Sequence, residues 1–365
     1  MAKTYKVTFK PVEPYFFGNE KNFAFPGQKQ ESLYASSYFI KSENAPSQST
    51  ILGALRYVFL PYKKADYSYE DYEREANKKA IGEKSFNVES ESIQEFGIIK
   101  KISPVFIYGK NNDGEGITLI PTPMDHNRSD NTDTKNKEKI KPCIYSPFDE
   151  YLNVNTTEEN KLYAVDFDVK EGIEHSYVSL GNNEIYSETD LFETDLRIGI
   201  NRAEKNDGFF KKEYCMLKNN FAFAVYAEID IDVAPEPKCV FLGQGKSAFT
   251  VTFTEEADTL ECKVKSFIEN FKSKRAPFPF IYCLSDCFVK DFDNSSILFC
   301  AIDTKDYRTF ETIGKGRVKK GHNLYRLLKA GSVIITENPE TWIEKNMNEN
   351  ANNIGFNTYV ISGGK

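Results

Sequence analysis

The sequence is poor in the groups that most often carry enzyme chemistry. It has three histidines among 365 residues, at positions 126, 175 and 322, and none stands in an HxxxH or HxH arrangement. No GxSxG turn occurs, and no carboxylate pair has a context that suggests acid–base work. The seven cysteines form no CxxC, and Cys283 and Cys287 lack the further ligands a zinc site needs. They read as the reduced thiols of a cytoplasmic protein. No run of about 18 apolar residues is present, which excludes a membrane-spanning helix. The opening MAKTYKVTFK has no apolar signal core, so secretion is not expected. GQGKS at 243–247 fails as a nucleotide-hydrolysing loop: Val240 stands where a Walker A glycine is required, and a strand pattern follows in place of a helix. These absences leave no metal or cofactor to expect, and they favour a binding protein over an enzyme.

What is present is charge, unevenly spread, and aromatic side chains. With 54 acidic and 47 basic residues the net charge is −7, which argues against indiscriminate nucleic-acid binding but allows a local basic face. Between Asp149 and Asp195 stand 13 acidic and two basic residues; between Lys305 and Lys329 stand eight basic and two acidic. Such asymmetry is expected where one surface meets phosphates and another a protein. Aromatics make up 14% of the chain, with 29 Phe and 21 Tyr against one Trp. Most belong in strands and core, although some could stack bases.

The chain reads as an α+β protein. Tyr5, Val7 and Phe9 alternate with polar residues as in a half-buried strand. Ser47 or Ser49 is positioned to cap a helix whose apolar residues recur at Ile51, Leu55 and Val58, with Pro61 ending it. Residues 63–95 suggest one or two surface helices. Residues 98–108 and 117–121 read as strands, and 125–141 as a solvated loop. Strands are expected at 220–233, 241–253, 278–284 and 297–302, a helix at 255–274, and a closing strand at 331–337. This order suggests two ferredoxin-like (RRM-like) domains with inserted hairpins and loops, residues 1–217 and 218–365.

Four segments could meet a polyanion. In PSQSTILGALR (46–56) a helix start, where free N–H groups favour phosphate, is surrounded by Ser47, Ser49 and Thr50, with Arg56 further on. Gly53 weakens that helix by about 0.8–1 kcal/mol relative to Ala, which suggests close packing by something else. RIGINR sets Arg197 and Arg202 at the base of a hairpin turning at Asp207-Gly208, with Phe209 and Phe210 beyond. Gly243 and Gly245 permit either a tight hairpin or the close approach of an RNA backbone, with Lys246 at the tip. The stretch 315–333 places Arg317, Lys319 and Lys320 among glycines beside His322 and Tyr325, as suits a backbone-gripping loop. Each also has an ordinary structural reading, and the residues alone leave both open. His322 is the one histidine in a basic, flexible setting.

Taken in order, these segments resemble one family, the third subunit of the Cmr complex, a type III-B CRISPR effector, within the RAMP superfamily. The resemblance is carried by PSQSTILGALR, by ISPVFIY and ITLIPTPMD (102–125), by RIGINR with the strand after it, by FLGQGKSAF, by LLKAGSVIITE and by the closing NIGFNTYVISGG. The sequence departs from the family pattern at Gln244, Lys246 and Lys329, and no tryptophan follows the glycines near 314–316. The resemblance implies two RRM-like domains with an extended hairpin, and a subunit without activity of its own. Such a subunit holds the 5′ handle of the CRISPR RNA and bridges the large polymerase-like subunit to the backbone subunit. Positions matching the family's RNA contacts are Ser47, Ser49, Thr50, Arg56, Arg197, Arg202, Gly243, Gly245 and Lys246. The competing readings are a RAMP-type endoribonuclease that processes repeat RNA and a scaffold that meets only protein.

Overall fold

The computed structural model describes residues 2–18, 23–24, 38–65, 67–111, 114–128, 138–147, 161–167, 176–201, 208–272, 278–290, 292–312 and 318–362. Strand β1 (Lys3–Pro11) follows the alternation read in the sequence, with Tyr5, Val7 and Phe9 fully buried. β2 (Tyr38–Lys41) leads into α1 (Gln48–Phe59), which Ser47 caps and whose Ile51, Leu52, Leu55 and Val58 are buried. One surface helix follows, α2 (Asp71–Ile81). The strand expected at 98–108 is broken by Ser103-Pro104 into β3 (Ile99–Ile102) and β4 (Phe106–Lys110), because proline supplies no ladder N–H. β5 (Gly116–Pro121), β6 (Ser176–Ser179) and β7 (Ile185–Ser187) extend the sheet, and β8 (Phe192–Asn201) and β9 (Gly208–Leu217) form a long ribbon.

Past the ribbon the chain returns to the first sheet. β10 (Phe221–Ile229), β11 (Lys238–Leu242) and β12 (Ser247–Glu255) join it, and the order is β7-β6-β5-β4-β10-β1-β12-β11, with β3 also pairing β10. β1 lies antiparallel between β10 and β12, with Val7 opposite Val225 and Phe253. The first sheet therefore extends to Glu255, so the expected division at 217/218 cuts through it. The apolar run FAFAVYAEI is nearly continuous because β10 is covered on both faces. Phe223, Val225 and Ala227 face α1, whereas Ala224 and Tyr226 face α3 (Leu260–Lys272).

Helix α3 joins the two sheets. Its Leu260, Val264, Phe267 and Ile268 pack with Phe106 and Tyr226 on one side. On the other they meet the sheet of β13 (Phe280–Cys283), β14 (Ile297–Ala301), β19 (Val333–Thr336) and β20 (Tyr359–Ser362), in the order β14-β19-β13-β20. Between β14 and β19 come β15 (Thr304–Tyr307), β16 (Phe310–Thr312), β17 (Val318–Lys320) and β18 (Tyr325–Leu328). Helix α4 (Pro339–Asn346) covers the far face through Trp342 and Ile343. The strand expected to close the chain, β19, is internal; β20 takes the edge beyond β13 instead.

The protein is thus a mixed α and β molecule with several sheets. In each main sheet four strands run in an antiparallel order that matches a ferredoxin-like unit: β12-β1-β10-β4 and β20-β13-β19-β14. Each set has one crossover helix, not two. α1 serves the first, whose second crossover is β11; α4 serves the second, where no helix separates β13 from β14. Among the described residues no helix is long and apolar enough to cross a membrane.

The expected loop at 125–141 is not wholly solvated. His126–Arg128 pairs with Ile140–Pro142, and Asp125 and His126 are buried. The Asp125 carboxylate accepts from His126 Nδ1 and from Tyr145 Oη, each at 2.8 Å, so burial leaves its charge partnered.

An ion cluster pins the segment before α1 to the C-terminal half. Lys305 Nζ lies 3.3 Å from Glu43 and 3.6 Å from Asp286. Burial opposes its charge, but the two carboxylates more than offset this and raise its pKa. Lys305→Ala would leave two facing carboxylates without their cation. The expected loss of unfolding free energy is about 3 kcal/mol, the lower end for a broken buried pair, since the side chain is 23% exposed. Urea unfolding checks this, and a loss below about 1 kcal/mol would deny the cluster its pinning role.

Candidate nucleic-acid interface

Three of the polyanion-compatible segments meet around Tyr15–Phe17. Tyr15 exchanges backbone hydrogen bonds with Cys215 of β9, at 2.8 and 2.9 Å. The Phe17 carbonyl accepts from the Glu43 N–H just before α1, and the Phe17 N–H donates to Ser42 Oγ. The Phe16 carbonyl accepts from the Gln244 N–H at 2.9 Å. This last bond places the glycine turn of β11 and β12 against the chain.

That turn is tight, closing between paired Leu242 and Ser247, and Gly243, Gly245 and Lys246 all have positive φ, at +74°, +111° and +55°. The two glycines do different things. A Cβ on Gly243 would lie 2.4 Å from the Phe16 carbonyl oxygen, so its close backbone approach is spent inside the protein. A Cβ on Gly245 would find nothing nearer than Tyr214 Oη, at 4.0 Å. Gly245 and Lys246 are exposed.

The ribbon supplies the rest of this face. Asp195, Arg197 and Gly199 pair with Tyr214, Lys212 and Phe210. The Arg197 guanidinium lies 4.3 Å from the Tyr214 ring, and its Nε donates to Asp195 at 2.8 Å. Its two Nη groups have no acceptor among the described residues. The Tyr214 ring packs edge-on to Phe16, 5.4 Å between centroids, and Lys212 Nζ lies about equally near the rings of Phe16 and Phe210, at 5.5 and 5.4 Å. Gly199 makes this possible, since a Cβ there would lie 2.2 Å from the Phe210 ring. Arg197, Lys212, Tyr214, Phe16, Gly245 and Lys246 thus form one basic, aromatic face.

The start of α1 is arranged differently. Ser47 Oγ caps Thr50 N–H at 3.3 Å and lies 3.1 Å from Ser49 Oγ and 2.9 Å from Thr50 Oγ1. Tyr307 Oη donates to Ser49 Oγ at 3.0 Å; burial raises the phenol's pKa to about 12, with the Ser49 bond acting against the rise. The hydroxyls therefore bond one another, while the N–H groups of Gln48 and Ser49 have no acceptor among the described residues. Gln48 itself turns inward, and its Nε2 donates to the carbonyls of Ser103 and Gly355.

Arg56 is not part of that arrangement. It stands in the last turn of α1, donates to the Gly82 carbonyl at 3.1 Å and lies 5.9 Å from the Phe96 ring. Burial lowers its pKa. Arg56 thus lies at the other end of α1 from the hydroxyls, with about 10 Å of helix rise between it and Ser49.

Within the basic stretch 305–329, three cations have carboxylate partners among the described residues. Lys305 has its two carboxylates, Lys329 pairs with Asp303 and Arg326 with Asp306. Arg308 donates to the His322 carbonyl at 2.7 Å. Lys319 Nζ is 3.1 Å from His322 Nε2, and Lys320 lies in β17. Arg202, Arg317, His175 and much of the acidic segment lie outside the described residues.

Of the residues on this face, the sequence points to Arg197, Gly245 and Lys246 but not to Phe16, Lys212 and Tyr214; Gly243, also singled out, faces inward. The alternation of Phe210, Lys212 and Tyr214 along a strand was the available signal.

Comparison with known proteins agrees with a CRISPR-associated role. The family model described as CRISPR-associated protein (Cas_Cmr3) matches residues 7–362. The chain belongs to that family, the third subunit of type III-B Cmr effectors. A chain from the cryo-EM structure of the Type III-B Cmr-beta bound to cognate target RNA is similar at 13% identity, over 69% of this chain and 97% of that one, with a TM-score of 0.26. No curated protein matches.

The two turn glycines should respond differently to substitution. Gly245→Ala is expected to cost only the strain of its backbone conformation, about 1–3 kcal/mol. Gly243→Ala should cost clearly more, because the Phe16 backbone must move away. Denaturant midpoints of the two variants test this, and equal losses would contradict the packing described.

Proposed function

We propose that this chain is a non-catalytic CRISPR RNA-binding and assembly subunit of a Cmr effector. The observation that carries the reading is Arg197: its guanidinium is fixed by the Tyr214 ring and Asp195, while its Nη groups have no acceptor among the described residues, on the same face as Lys212 and Lys246. A planar fork held in this way suits the two oxygens of a phosphate. The exposed glycine next to it lets a sugar–phosphate backbone come near. Family membership supports the 5′ handle of the CRISPR RNA as that RNA. It also supports a bridge between the large polymerase-like subunit and the backbone subunit.

The titratable groups support a binder. His126 is 2% exposed and held by Asp125, out of reach of a substrate. His322 accepts a hydrogen bond from Lys319 and lies just past a short two-stranded ribbon.

Arg197→Ala is expected to weaken binding of labelled handle RNA and to reduce the salt slope by about 0.7 unit, the loss of one single-strand phosphate contact. Arg197→Lys should recover only part of the affinity, because an ammonium cannot bind two oxygens at once. Filter binding across a salt series measures both, and wild-type affinity and slope in a folded Arg197→Ala protein would sink the assignment.

His322→Ala should leave target-RNA cleavage by the reconstituted complex within a few-fold of wild type. A positioned acid or base contributes about 10²–10⁴-fold, so a loss of that size with assembly intact would favour the endoribonuclease reading.

A further inference from the structure

Gly53 has no internal reason to be glycine. It lies in the middle of α1, faces solvent, adopts no left-handed conformation, and a Cβ built on it would have nothing within 4 Å. Alanine would fit and would make a better helix. An exposed helix position that bears this cost without an intramolecular contact points to something outside the chain that comes close to the helix backbone.

The neighbours on the same face indicate what that is. Thr50 lies one turn before Gly53 and Tyr57 one turn after it. Tyr57 is 48% exposed, with Lys63 Nζ 4.2 Å from its ring centroid. Lys238 Nζ donates to the Val58 carbonyl at the same end. Burial and the nearby Lys238 both lower the pKa of Lys63. Neither lysine has a carboxylate partner among the described residues. The strip is therefore bounded by the positive end of the helix dipole at Thr50 and, about 10 Å away beyond Tyr57, by two ammonium groups without a carboxylate partner among the described residues, of which Lys238 rests on the Val58 carbonyl. A narrow strip with a bare backbone at its centre, an aromatic ring at one end and positive charge at both complements single-stranded RNA better than a protein surface.

We propose that the outer face of α1 is a track for single-stranded RNA. The sugar–phosphate backbone crosses the helix at Gly53, a base stacks on Tyr57, and Lys63 moves from the ring to the adjoining phosphate. The inference rests on the RNA-binding reading above but uses none of its residues.

The test pairs stability with affinity in the full-length protein, using fluorescein-labelled handle RNA. Gly53→Ala is expected to raise the melting temperature while weakening RNA binding at least five-fold. Gly53→Leu should weaken it further, and Tyr57→Leu should weaken it about five- to 150-fold. A lower melting temperature for Gly53→Ala would show that the glycine serves the fold, and would overturn the proposal. So would wild-type RNA affinity in both Gly53 variants, including the case where they bind RNA normally but no longer assemble with the other Cmr subunits, which would make the occupant a protein. Arg197→Ala is run alongside: if it loses RNA while the Gly53 variants keep it, the track fails and the RNA-binding reading stands. If none of the variants loses RNA, that reading fails as well.

Discussion

The main chain of Tyr15–Phe17 is the constraint on which the proposed RNA face depends. Over three residues it bonds to the ribbon through Cys215, to the approach of α1 through Ser42 and Glu43, and to the glycine turn through Gln244. Tyr15, Phe16, Phe17, Ser42 and Cys215 are buried together. Each bond contributes only about 1 kcal/mol net, but a buried partner left unpaired costs more than that, so the elements hold their positions together. The ribbon, the turn and the helix start come from residues up to about 200 apart, and this segment bonds to all three.

What the sequence revealed was local. β1 could be read because its period of two involves only its own residues, and α1 because cap, apolar spacing and terminating proline lie within one stretch. The glycine turn was visible too, although not which of its glycines faces inward. That depends on Phe16, which is distant in sequence. The pairing of Lys305 and Lys329 was hidden for the same reason: the carboxylates of Glu43, Asp286 and Asp303 that hold them lie outside the basic stretch. Asp125 and His126 looked like loop residues because the partner that completes their burial, Tyr145, is 20 residues away. The contacts of Arg56 with the Gly82 carbonyl and the Phe96 ring were hidden because both lie well beyond α1 in the sequence.

Family membership and geometry answer different questions. A match over residues 7–362 establishes which complex the subunit belongs to, but says nothing of where RNA would lie on it. The side-chain arrangement supplies candidate positions: a fixed guanidinium with open nitrogens and an exposed glycine beside it. Both positions leave small or flat groups outward. This suits contact with a sugar–phosphate backbone more than reading of base edges.

The contact between Gly199 and the Phe210 ring has a consequence for the reach of the ribbon. A slip of one residue would turn every side chain of β8 to the opposite face. A slip of two would bring Arg197 or Asn201 opposite Phe210, and each has a Cβ where the ring now lies. The pair works as a key in a slot, admitting one alignment of the two strands. The ribbon can therefore bend or sway as a unit without changing length, and whatever its far end meets is met at a set distance from the body of the subunit. That spacing is set by a single hydrogen in place of a side chain.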